Sequence, residues 1–267
     1  TKEPLEIAVC AQHNNGGLKG NLWWESNIKH LFPVGEVNGT HGVYRPGGSA
    51  LNSGQVGSLR AAMYIARRYN NSPPDIDNFL QKCKSQIKQK YELSRQMINP
   101  DSSDGLSVKQ VREEIQQRMS SHGAHIRNKN QVMAAIRDAR DLYHRLKNGM
   151  KISSAADLPE VFRNLDLCLT HMLYLEAIGE YLDKGGKSRG SYLVMDPNGE
   201  KPCRELDDTW KFTLNSEDDF VNNKILEISL SENLAVKKEW VAVRPIPEEE
   251  IWFENIWNQY MRDEIIQ

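Results

Sequence analysis

Thr40-His41-Gly42-Val43-Tyr44-Arg45-Pro46-Gly47-Gly48-Ser49-Ala50-Leu51-Asn52 decides how the rest of this chain is read. It is entered by an apolar run, Leu31-Phe32-Pro33-Val34-Gly35-Glu36-Val37, which reads as a buried strand with a carboxylate near its end. It leaves through Asn52 to Ala66, where small and apolar residues recur at helical spacing. That spacing predicts a helix pressed closely against a neighbour. A strand, a glycine-rich turn and a tight helix together make a place for a negatively charged group. The first turn of a helix offers amide N–H groups and partial positive charge, and glycine lets a ligand approach the backbone. An ordinary tight turn would use the same residues, so the physical signal alone leaves both readings open.

The order of residues adds to it. Gly35-Glu36, then His41-Gly42-Val43-Tyr44-Arg45-Pro46-Gly47-Gly48, then Ser49-Ala50-Leu51 resembles the C-terminal part of the FAD domain in the succinate dehydrogenase, fumarate reductase and L-aspartate oxidase flavoproteins. Those proteins carry a strand ending in Gly-Glu, a His-Gly-x-x-Arg-x-Gly-Gly turn and a Ser- or Asn-led helix. Pro46 stands where their best-known members have leucine. Upstream, Gln12-His13-Asn14-Asn15-Gly16-Gly17 is similar to the family's His-x-x-Gly-Gly element. Downstream, Ser188-Arg189-Gly190 is similar to the Ser-Arg-Gly that closes the family's helical domain.

The resemblance implies roles residue by residue. Glu36 would accept hydrogen bonds from the flavin ribityl chain. Gly47, Gly48, Ser49, Ala50 and Leu51 would lie against the flavin, with the helix amides at its pyrimidine end. His13 and Arg45 would hold a substrate carboxylate, the guanidinium as a planar fork and the imidazole as a second donor. Read without the resemblance, His13 is a histidine in a polar turn and Arg45 an arginine bonding turn carbonyls. The family's proton-transfer arginine belongs to its capping domain, so no residue of this chain takes a catalytic role.

Composition limits the alternatives. At 267 residues the chain can bury one large core or two smaller ones, and a net charge of −2 gives no reason to propose nucleic acid as a partner. A mean hydropathy of −0.62 and the lack of a long uncharged apolar run argue against a membrane span. Cys10, Cys83, Cys168 and Cys203 are far apart, which predicts free thiols in a cytoplasmic protein and no zinc or iron–sulfur site. No Gly-x-Gly-x-x-Gly follows a strand, so the usual dinucleotide site is not in this stretch of sequence. In the resembling flavoproteins that fingerprint and the capping domain precede the region matched here. The expectation is therefore a C-terminal fragment whose N-terminal FAD and capping domains are its natural partners, and which holds no FAD when isolated.

Along the chain, Leu5 to Ala11 reads as a short strand and Tyr69 to Asp75 as a break between domains. Trp23 and Trp24 are expected to close over apolar core. Ile76, Phe79, Leu80, Cys83, Ile87 and Tyr91 space one face of a helix over 75–98. Ser107 caps another, Gln131 to Leu146 makes a third, and Asp157 to Leu182 a fourth. His122 and His125 are too few, and too close to a glycine, to read as a metal site. Lys224 to Leu230 and Leu234 to Arg244 alternate as a hairpin, and Glu248 to Gln267 reads as a terminal amphipathic helix whose aromatic face must dock somewhere.

The fold expected is α+β and predominantly helical: residues 1–72 as the remnant of an FAD-binding α/β domain, 73–186 as a helical bundle, and 187–267 as a β-hairpin plus helix. The function expected from the resemblance is part of an FAD-dependent oxidoreductase that exchanges hydride between flavin and a small carboxylate substrate, partnered by an iron–sulfur or other electron-transfer subunit. The reading from a different class is a non-catalytic helical module that docks a partner subunit.

Overall fold

A computed structural model of the chain describes residues 16–39, 47–98, 105–146, 149–190, 192–214, 220–245 and 247–266. Helix dominates, at 53% of the described residues, with only small sheets, so the α+β, mainly helical class holds. The chain divides into two compact units, one made of the residues up to Pro73 together with those from Arg244 on, the other of Pro74–Val243.

The first unit is organised on α1, Gly47–Arg68. Its small residues face inward as the spacing predicts, with Gly57 and Ala61 buried. A Cβ on Gly57 would overlap the Trp24 indole, so this helix turn can have no side chain there. Trp23 stacks on Tyr64 of α1 with ring centroids 5.3 Å apart, and the Arg60 guanidinium lies 4.8 Å from the centre of the Trp23 ring. Both tryptophans therefore close over α1. Gly57→Ala gains roughly 1 kcal/mol of helix propensity but must push the indole aside. Overpacking of this kind costs about 1–3 kcal/mol, so the expected outcome is a net loss, read as a lower denaturant midpoint.

Apolar Leu31–Val37 is not a strand. It runs irregularly through Val34 and ends in a 3-10 turn, Gly35–Val37, with Gly35 at φ +76. Pro33 and a left-handed glycine break the extended backbone that the apolar run suggested. The strand expected over Leu5–Ala11 lies outside the described residues. At the other end of this unit α6 covers Trp252–Met261, shorter than the 248–267 expected. Glu248–Glu250 precede it, and Asp263 at φ 64 ends the run. Arg67 near the end of α1 donates to the carbonyl oxygens of Asp263 (3.3 Å) and Ile266 (3.1 Å) and to the Asp263 carboxylate, which fixes the segment after α6.

The second unit holds α2 (Ile76–Ile98), α3 (Val108–Arg118), α4 (Lys129–Leu146) and α5 (Leu158–Asp183). Ser107 and Gln110 form a full capping box on α3. A π-helical turn, Met119–Gly123, follows it. The core lies between α4 and α5, where Val132, Ala135 and Ala139 pack with Met172 and Leu175. Leu142 and Leu146 join Val111, Val161 and Cys168 in a second cluster. Burial pushes the Cys168 thiol up to about 12, which leaves it protonated and unreactive in the native state. His171 is also buried; one ring nitrogen lies 3.2 Å from the Leu167 carbonyl and the other 3.3 Å from Arg118. Burial holds its pKa below the ordinary histidine value.

Two small sheets complete this unit. β1 (Ile126–Arg127), β2 (Leu193–Glu200) and β3 (Phe212–Thr213) form one, with β1 parallel to β2 and β3 antiparallel to it. β4 (Lys224–Leu230) and β5 (Val236–Ala242) make the expected hairpin, in register from Lys224 opposite Ala242 to Leu230 opposite Val236. The hairpin is fastened to α5 by charge. Glu176 is buried and accepts from Arg140 Nε (2.8 Å) and Lys238 Nζ (2.9 Å), while Trp240 Nε1 donates to Glu180 at 3.1 Å. Among the described residues no helix is long and apolar enough to cross a membrane.

Candidate functional site

The site residues named from the sequence fall into three groups. Gly47, Gly48, Ser49, Ala50 and Leu51 form the first turn of α1. The glycine-rich turn ends and the helix begins within two residues of where the sequence puts them. A Cβ built on Gly47 or Gly48 would meet nothing within 4 Å, so the backbone there faces open space. An incoming ligand therefore has steric access to the first-turn amides, which α-helical geometry directs outward along the axis.

Glu36 forms the second group. It lies on the 3-10 turn and is exposed, not at the buried strand end expected. What the structure offers instead is a solvent-facing carboxylate on a turn held against α1. A Cβ on Gly54 would lie 3.4 Å from the Gly35 Cα, and Gly54 is seven residues, roughly 10 Å of helix, beyond Gly47. A Cβ at Gly54 would only just touch the turn, in ordinary van der Waals contact.

His13 and Arg45 form the third group and lie outside the described residues. Their described flanks are joined. Leu18 N–H donates to the Val37 carbonyl at 2.7 Å, and Gly39 N–H donates to the Leu18 carbonyl at 3.0 Å. Gly17 and Gly39 pack so tightly that a Cβ on either would meet the other's backbone or that of Val37. The loop that follows His13 and the loop that leads to Arg45 are thus bonded side by side. This pairing was not read from the sequence, where Gly17 and Gly39 look like independent turn glycines; its only trace is a Gly at each of two apparently unrelated loop ends. Between them Asn38 is buried, with neither side-chain amide atom hydrogen-bonded among the described residues.

The donor and acceptor set suits a flavin: an open helix N-terminus for the electron-accepting end of the ring, and an accessible carboxylate for hydroxyls. The chain matches no protein-family profile. It is 31% identical over 136 residues to one component of the fumarate reductase (CoM/CoB) of Methanothermobacter marburgensis, covering 50% of this chain and 23% of that protein. It is 26% identical over 218 residues to the fumarate reductase flavoprotein subunit of Proteus vulgaris, covering 77% of this chain and 33% of that one. By these matches the chain is similar to part of the fumarate reductase flavoproteins.

Solved structures agree at the level of fold. A mutant of the E. coli quinol fumarate reductase FrdA matches this chain with a TM-score of 0.62 at 18% identity, over 89% of this chain and 38% of that one. Mycobacterium smegmatis Sdh1 gives 0.57 at 17% identity, over 94% and 38%. The segment spans between 23% and 33% of the length of the curated relatives it matches.

Proposed function

We propose that this chain forms the flavin-facing and substrate-carboxylate-facing edge of an FAD-dependent oxidoreductase of the fumarate reductase/succinate dehydrogenase type, and that the whole protein exchanges hydride with a small carboxylate substrate. The observation that supports the reading most is the pair of bonded loop flanks, Leu18 with Val37 and Gly39, followed by an open helix start at Gly47. FAD, when bound, supplies a hydride donor or acceptor at its ring nitrogen. The residues of this chain bind and orient. Glu36 accepts from ribityl hydroxyls, and the Ser49-Ala50-Leu51 amides stabilise negative charge at the pyrimidine end through the helix dipole. Arg45 and His13 take the substrate carboxylate out of water into donors already aimed at it. The pyrophosphate and adenosine contacts come from the N-terminal FAD domain, the proton-transfer arginine from the capping domain, and an iron–sulfur or other electron-transfer subunit is the electron partner. Residues 1–72 belong to the FAD domain in this reading, 73–186 to a helical bundle and 187–267 to a terminal hairpin-and-helix part.

The test is Glu36→Leu in the full-length flavoprotein, measured by equilibrium dialysis of FAD. Loss of one or two hydrogen bonds to an ionised group is worth about 1.5–3 kcal/mol, so FAD retention is expected to weaken at least about tenfold. Unchanged retention removes Glu36 from the flavin site. The isolated 267-residue chain is expected to purify colourless, because it lacks the pyrophosphate contacts.

A further inference from the structure

His171 is buried half-way along α5, and both of its ring nitrogens are committed. Nδ1 lies 3.2 Å from the Leu167 carbonyl oxygen, one turn earlier on the same helix, and Nε2 lies 3.3 Å from Arg118 Nη1. A carbonyl can only accept and a guanidinium can only donate, so the geometry fixes both roles. Nδ1 carries the proton, Nε2 offers its lone pair to Arg118, and the ring is neutral. Arg118 is itself nearly enclosed, its side chain 9% exposed, and it donates to Glu114 at 2.5 Å. Glu114 also accepts from Arg145 of α4 at 3.0 Å. A line of hydrogen bonds thus crosses from α5 through α3 to α4, with an imidazole at its inner end.

Arg118 closes α3, and the π-helical turn Met119–Gly123 starts at the next residue. Beyond that turn, Arg127 of β1 donates to the carbonyls of Gly123 and Ala124, both at 3.0 Å. Its guanidinium lies 3.8 Å from the centre of the Tyr192 ring, next to the start of β2. The turn is held by an arginine at each end. We infer that His171 and Arg118 form a proton-operated latch on this turn. A proton on Nε2 removes the lone pair to which Arg118 donates and sets two cations face to face, so the end of α3 and the turn separate locally from α5.

The neighbouring groups leave that repulsion in place. Glu114 of α3 attracts both cations, but it is 31% exposed and already shared between Arg118 and Arg145. From α4 comes Arg145, a third cation. Cys168 of α5 is a protonated, neutral thiol. The turn brings His122, whose Nδ1 is buried without a hydrogen bond, and the test has to separate this second imidazole from the first. Burial, with Arg118, holds His171 below the ordinary 6.5, so the closed latch resists the proton and an opened, hydrated one takes it. Each opening below 6.5 then binds one extra proton, and the open population grows about tenfold per pH unit until the closed form protonates too.

Hydrogen–deuterium exchange of the 267-residue chain between about pH 7.5 and pH 5 tests this. Amides of residues 115–124 are expected to be less protected than those of the α4–α5 core, with protection factors that fall about tenfold per pH unit below 6.5. His171→Gln keeps an acceptor for Arg118 but cannot titrate, and is expected to flatten that response. His122→Gln is expected to leave it unchanged. Nitrogen NMR of the histidines in the unsubstituted chain gives a reading that needs no variant: His171 is expected as the Nδ1–H tautomer at neutral pH, with a midpoint below 6.5. An Nε2–H tautomer, a response removed by His122→Gln and kept in His171→Gln, or a segment as protected as the core at every pH would each overturn the latch.

Discussion

If Arg45 holds the substrate carboxylate as proposed, Arg45→Lys in the full-length protein is expected to lower kcat/KM by roughly ten- to a hundred-fold with the flavin still bound, the worth of one charge-assisted hydrogen bond of about 1.5–3 kcal/mol. Lysine keeps the positive charge but offers a single point of contact where the guanidinium offers a planar fork to both carboxylate oxygens. The desolvation of a small carboxylate is then only partly offset, and the loss falls on substrate and not on cofactor. Steady-state kinetics with flavin content measured in parallel decide it. If the variant sheds flavin, or turns over with an unaltered KM, Arg45 is a structural arginine of the glycine-rich turn.

Glu176→Gln addresses stability in the second compact unit, more than a hundred residues further along the chain. The carboxylate is buried while its partners Arg140 and Lys238 remain partly exposed, with side-chain exposures of 35% and 27%. Breaking a fully buried ion pair costs about 3–5 kcal/mol; partial hydration of the two cations brings the expected loss to about 2–3 kcal/mol. The pH dependence has a definite sign. Burial opposes ionisation of Glu176, but Lys238 and Arg140 outweigh it and hold its pKa below the ordinary 4.5. The unfolded chain therefore binds the extra proton first, and the stability contributed by Glu176 is full above 4.5 and lost as pH falls through the lower native value. Denaturant titrations of both proteins are expected to show a wide gap in midpoint at neutral pH that narrows below pH 4.5. A gap constant down to strong acid would mean that packing, not charge, holds the hairpin on α5.

His171 acts in the same direction at higher pH. Its pKa is lowered by burial, so the native state keeps it neutral and stability declines as pH falls below the ordinary histidine value of 6.5.

How far the sequence could be read depended on whether the signal was local. Ser107 with Gln110 is a self-contained capping instruction, and α3 begins there. The alternation in 224–230 and 236–242 needs only its own turn at Ser231–Asn233, and the hairpin is present. The glycines before Ser49 mark the start of α1 in the same local way. Leu31–Val37 misled because an apolar run is a strand only when a neighbour pairs with it; here Pro33 removes a donor and Gly35 turns the chain. β2 was missed for the opposite reason. Asp196-Pro197-Asn198-Gly199 reads as a turn, and the structure contains it as an irregularity, with Met195 and Glu200 both opposite Phe212. Its pairing with Ile126 and Arg127, more than sixty residues earlier, leaves no local trace. The stripe on α2 was legible as amphipathic, but not that the chain would leave it bare.

The buried thiol of Cys168 has a practical use. Being protonated and enclosed, it can meet an alkylating reagent only when α4 and α5 separate, whereas exposed Cys203 needs no such event. The two sulfurs make an internal stopwatch and its zero mark. The lag between their labelling reports how often the heart of the helical unit breathes open, without any added probe.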